Sequence, residues 1–211
     1  MKAAIVQLLV GALIALASSP AAQAADLSVT VRTTAGKPVA DAVVMLRPAA
    51  GGAPKPEPGY RMSQHHMQFD PFVLIVPVGA EVAFPNLDPV RHHVYSFSPA
   101  KTFELKLYSK GEAPAVRMDK AGVVAVGCNI HDSMVGFIRV VDAPFAVKTD
   151  AKGVALLRGV PAGAATLTVW HPYAKAKGSE VSRAVTLPAA ATASETVALD
   201  VRPAPDLMAH Y

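Results

Sequence analysis

Short runs rich in valine recur along this chain, and they constrain its fold more than any other feature. They include "LSVTV" (27–31), "AVVMLRP" (42–48), "FVLIVP" (72–77), "EVAFPN" (81–86), "HHVYSF" (92–97), "GVVAVGC" (122–128), "GFIRVV" (136–141), "ATLTVW" (165–170) and "ETVALDV" (195–201). β-branched and aromatic residues suit a pleated, half-buried surface, and the Gly, Pro, Asp and Asn between the runs supply turns. No stretch after the first residues sustains a helical apolar period with caps at both ends. The pattern predicts an all-β protein of the sandwich or barrel kind.

The start of the chain is different. "MKAAIVQLLVGALIALASSPAAQAAD" has a single early lysine, an apolar run, and small residues ending in Ala22-Gln23-Ala24. That order is expected of a secretory signal peptide over 1–24, with a mature chain in the periplasm. The apolar run is short for a membrane span, which needs about 20 residues; an uncleaved anchor is the alternative. No later segment is apolar enough to span, so no membrane span is expected after cleavage. The formal charge is +4 with Lys and Arg scattered, and without a basic stripe interleaved with aromatics nucleic-acid binding is not expected.

Export sharpens the question posed by "GCNIHDSM" (127–134), which holds the only cysteine. In an oxidising compartment a lone thiol is buried and inert, paired between molecules, or bound to something. His131 and Met134 follow Cys128 at even three-residue steps. A thiolate, an imidazole and a thioether are soft donors, and His₂Cys with a weak axial Met suits copper, whereas zinc rarely uses Met. A second histidine must come from elsewhere. "PNLDPVRHHV" (85–94) offers His92 and His93, neighbours that point to opposite faces of a strand, so that one of them faces the site.

The segment "FDPFVLIVPVGAEVAFPNLDPVRHHV … GCNIHDSMVGFIRVV" resembles the cupredoxins of the plastocyanin, pseudoazurin and amicyanin group over about 69–141. That group has a "G-x-x-V-x-F-x-N" strand, a "His-Asn-Val" ligand and a closing "Cys-x₂-His-x-x-Met" loop. The resemblance implies a Greek-key sandwich and one mononuclear type 1 copper site held by His92, Cys128, His131 and Met134. His93 stands where the family usually has Asn, and it is the alternative to His92. Cys128 is expected to end a strand, His131 and Met134 to lie on the following turn, and Gly136 to open the last strand.

The flanks resemble a second family. "VTVRTTAGKPVADAVVML" (29–46) and "KTDAKGVALLRGVPAGAATLTVW" (148–170) are similar to the two halves of the carboxypeptidase-regulatory, transthyretin-like β-sandwich. The expected organisation is a discontinuous sandwich over 26–50 and 142–203, a cupredoxin domain over 58–141 inserted in one of its loops, and a tail at 204–211. Three consecutive pieces are the alternative. Trp170 is expected in the core of the flanking sandwich, with His171 ending its strand.

Together these features predict a periplasmic type 1 copper protein that shuttles single electrons. The resemblance implies a redox partner such as a c-type cytochrome or a periplasmic dehydrogenase. A copper carrier or resistance protein is the alternative, motivated by the His92-His93 pair and by His65, His66 and Met67 in "SQHHMQF" (63–69), which raise the question of a second copper. Gln64 in the same stretch is a further candidate to reach the site, from the first strand. No second complete ligand set or nucleophile–base pair can be assembled, so enzymatic turnover is not expected.

Overall fold

The computed structural model describes residues 24–189 and 192–204. The expected leader lies outside the described residues except for Ala24, as does the tail beyond 204. Among the described residues no helix is long and apolar enough to cross a membrane. The described chain is strand and loop, interrupted by one 3-10 turn at Lys177–Ser179.

Two strands precede a Pro/Gly-rich stretch at 49–59, β1 (Ala24–Arg32) and β2 (Val43–Pro48). The middle holds β3 (Tyr60–Arg61), β4 (Ser63–His65), β5 (Gln68–Asp70), β6 (Val73–Pro77), β7 (Glu81–Ala83), β8 (His92–Ser98), β9 (Lys101–Tyr108), β10 (Ala115–Arg117), β11 (Gly122–Cys128) and β12 (His131–Val141). After it come β13 (Phe145–Lys148), β14 (Val154–Pro161), β15 (Gly163–Trp170), β16 (Glu180–Leu187) and β17 (Ala193–Ala198).

The flanking strands form two sheets that each combine early and late segments, ordered β14-β1-β17 and β13-β2-β15-β16. Period-two alternation explains their packing. Leu27, Val29 and Val31 of β1 turn inward and meet Val44, Leu46, Leu167 and Val169 in one core. Each such fully buried side chain stabilises the fold by about 1.5–3 kcal/mol. β16 falls outside the valine-run pattern because its middle, Ser182-Arg183-Ala184, is exposed.

The middle strands form a five-stranded sheet ordered β6-β12-β11-β8-β9, facing a three-stranded sheet β10-β7-β3, with β4 and β5 as a hairpin. Val76, Val82, Phe84, Val94, Val124, Val126 and Ile138 fill the space between. The hairpin packs closely because β12 has Gly136 at the crossing: a Cβ there would stand 2.8 Å from the Phe69 Cβ.

A third cluster joins the two sandwiches. Val43, Met45 and Trp170 of the flanks meet Phe72, Val73 and Phe137 of the middle. Trp170 is therefore a junction residue rather than part of the flanking core. It lies 6.3 Å from Phe137, ring to ring, and under the Arg139 guanidinium at 5.6 Å. The reason is its place at the end of β15, where the side chain leaves the flanking sheet toward β12.

Strand direction positions the site. β11 runs antiparallel to both β8 and β12, so the end of β11 and the starts of β8 and β12 share one end of the sheet. Cys128, His92 and His131 occupy those three places.

Candidate metal centre

Cys128 closes β11 and is buried. The chain turns through Asn129 and Ile130 alone, and β12 begins at His131, not at Gly136 as the sequence suggested. The register shifts after the Gly127–Val135 pair, and Cys128 then pairs with His131. Met134 thus lies within the strand, buried in the same core as Cys128. Two residues of turn hold the two donors more rigidly than an open loop would.

His92 opens β8 and is fully buried. Its Nδ1 lies 3.7 Å from the Cys128 Sγ, and the His131 Nδ1 lies 3.5 Å from the same sulfur. The two imidazole centroids are 5.0 Å apart. A metal bound at about 2.3 Å to sulfur and about 2.0 Å to nitrogen, at roughly 110–120° between them, sets S and N about 3.5–3.7 Å apart. The separations therefore suit two bonds to one ion. Among the described residues, His92, Cys128 and His131 are the one group of three or more His, Cys, Asp or Glu side chains whose ligand atoms lie within 4.8 Å of one another. By donor chemistry, a thiolate with two imidazoles, and a thioether buried in the same core, fits a type 1 copper site.

The next layer of side chains was not legible in the sequence. The His92 Nε2 lies 2.9 Å from the Asp88 carboxylate. Donation from Nε2–H to Asp88 leaves the Nδ1 lone pair free toward the sulfur. Asp88 also accepts the backbone N–H of His66 at 2.7 Å and of Met67 at 3.0 Å. Burial alone would raise the Asp88 pKa, but the amides of Met67 and His66 together with His92 hold it below its ordinary value. Burial pushes the His92 pKa down, against the opposing pull of Asp88, which favours the neutral imidazole that a metal requires.

The neighbouring histidine turns the other way. The His93 Nε2 meets Glu104 on β9 at 2.8 Å, on the opposite face of the sheet. His65 and His66 stack with centroids 3.8 Å apart, and both are exposed, as is Met67. Rings stacked face to face point their nitrogen lone pairs along nearly parallel planes and do not converge on one ion. His171 is buried among flanking residues and accepts the Tyr173 N–H at 3.2 Å. Gln64 is fully buried, but its Nε2 donates to the Met62 carbonyl and its Oε1 accepts from the Tyr108 hydroxyl. Lys101 on the edge strand β9 pairs with Asp119 at 2.6 Å.

No protein-family model matches the chain, and a search of the curated proteins gives no match. Solved structures do show similarity. A purple cupredoxin from Nitrosopumilus maritimus is 22% identical over 39% of this chain and 100% of its own, with a TM-score of 0.36. A copper-containing nitrite reductase from Thermus scotoductus SA-01 is 30% identical over 46% of this chain and 25% of its own, with a TM-score of 0.39. A mutant of amicyanin in its Cu(I) form is 21% identical over 48% of this chain and 99% of its own, with a TM-score of 0.37.

Proposed function

We propose that this protein is a periplasmic type 1 copper protein that transfers single electrons, with His92, Cys128, His131 and Met134 as ligands. The observation that carries the reading is one buried sulfur with two imidazole nitrogens 3.5 and 3.7 Å away. Copper supplies the one-electron change between Cu(I) and Cu(II); the chain supplies a donor set that need not move. Cys128 is fixed by β11, His131 by the two-residue turn, and His92 by Asp88. Fixed donors keep the rearrangement accompanying each electron small, which is what a shuttle requires.

His131 is half-buried, and exposed Leu87, Val90 and Ile130 lie on the loops that carry the ligands. A small apolar contact of this kind suits the brief encounters of redox partners. A c-type cytochrome or a periplasmic dehydrogenase is the partner class we infer. We also infer that the flanking sheets are a transthyretin-like host that carries the copper sandwich in one loop.

A copper carrier is the second reading, favoured by one observation. The exposed turn of His65, His66 and Met67 is tied through Asp88 to His92. Redox cycling separates the two. A shuttle keeps its copper through repeated reduction and reoxidation in the presence of a chelator. Loss of metal to the chelator on reduction supports the carrier instead.

A further inference from the structure

Tyr108 and Gln64 form a buried polar pair that ligand orientation through Asp88 does not require. Tyr108 ends β9, stands opposite His92 in the strand register, and shares its core with Cys128 and Met134. Its hydroxyl donates a short hydrogen bond to the Gln64 Oε1. The Gln64 Nε2 donates to the Met62 carbonyl at 3.1 Å, and the Asn86 Nδ2 donates to the Tyr108 carbonyl at 3.3 Å. Gln64 and Asn86 are fully buried, and Tyr108 nearly so. A phenylalanine and an aliphatic residue would fill the same space without desolvating a hydroxyl and an amide. Burial, and after it the interaction with Cys128, push the phenol well above its ordinary range.

We propose that Tyr108, held in place by Gln64, is a positioning residue that sets the reduction potential of the copper centre. The inference rests on the copper reading above. With the phenol proton committed to Gln64, the negative end of the hydroxyl dipole is fixed within the core that also holds Cys128 and Met134. The centre carries one more positive charge when oxidised than when reduced. A fixed negative end favours the oxidised state, and it acts strongly where water is excluded. Removing the oxygen therefore favours the reduced state. Removing the acceptor on Gln64 frees the hydroxyl proton to turn toward the thiolate, which favours the reduced state further.

The test is a redox titration of the copper-loaded full chain against a mediator of known potential, for wild type, Tyr108→Phe, Gln64→Leu and the double variant. Visible spectra and thermal unfolding of the metal-free proteins accompany it. At a fixed ambient potential, the ratio of reduced to oxidised protein should rise severalfold in Tyr108→Phe and more in Gln64→Leu. Each tenfold change corresponds to about 59 mV. In the double variant, Gln64→Leu should add nothing to Tyr108→Phe. An unchanged potential and spectrum in Tyr108→Phe, with only lower stability in the metal-free form, would show a purely structural pair. If Tyr108→Phe does not fold, an unchanged potential in Gln64→Leu overturns the inference equally. A wild-type protein with no thiolate–copper band fails the copper reading and this inference together, whereas a normal band with an unmoved potential fails this inference alone.

Discussion

The Asp88 carboxylate lies 2.9 Å from the His92 Nε2, and both side chains are buried. This contact fixes the ring's orientation and its tautomer, leaving Nδ1 to face Cys128. Outer carboxylates of this kind typically account for about 10–100-fold in metal affinity. Asp88→Ala should weaken copper binding by about that factor in a chelator competition. An unchanged dissociation constant would show that His92 is positioned by its strand alone.

Stability of the metal-free protein should fall as pH falls, in two stages. His92 and His171 both have pKa values depressed by burial, so the unfolded chain binds protons first as pH drops below about 6.5. Their contribution is fully present above that pH and is lost toward the lower folded values. Asp88 and Asp200 are depressed as well, so a second loss sets in below about pH 4. Denaturant midpoints measured from pH 8 to pH 3 check the order, and constant stability between pH 7 and pH 5 would contradict the first stage.

Gly136 is held to its identity by Phe69. A methyl group added there meets the Phe69 Cβ at 2.8 Å, and the hairpin must shift by several tenths of an ångström to admit it. Gly136→Ala should destabilise by about 1–3 kcal/mol, the usual cost of overpacking. Urea unfolding of the metal-free protein reads it.

At the junction of the two sandwiches, Arg139 on β12 reaches Glu180 on β16 at 2.8 Å while its Nε is buried without a partner among the described residues. Burial lowers the Arg139 pKa against the pull of Glu180. Glu180→Ala removes the hydrogen-bonded partner of a largely buried guanidinium, leaving only the Trp170 ring and the more distant Asp142, and should cost about 1–3 kcal/mol. Replacing both residues by apolar ones should recover part of that loss, as the same unfolding experiment would report.

Much of this architecture could be read from residue order, for reasons that differ by residue. Cys128 and His131 were legible because the two donors share one short segment, where spacing is geometry. His92 was legible only as one of a pair, since alternation assigns opposite faces without saying which is inner. The structure sends His92 inward to Cys128 and His93 outward to Glu104. Asp88 reaches His92 from a loop, a contact that no local period encodes. The start of β12 at His131 was hidden because His, Asp, Ser and Met resemble a turn, and pairing with β11 overrides that preference. Trp170 looked like flanking core because its strand is apolar, but the sequence does not mark which sheet face meets a second sandwich.

The central claim is that the Cys128 thiolate, with two histidines, binds a single copper ion. Its most direct test is the visible spectrum of the purified protein after addition of Cu(II), recorded beside Cys128→Ala. One equivalent of copper should give an intense thiolate-to-copper band that a reductant bleaches and an oxidant restores, and that the variant lacks. A weak, featureless spectrum identical in the two proteins would contradict the claim.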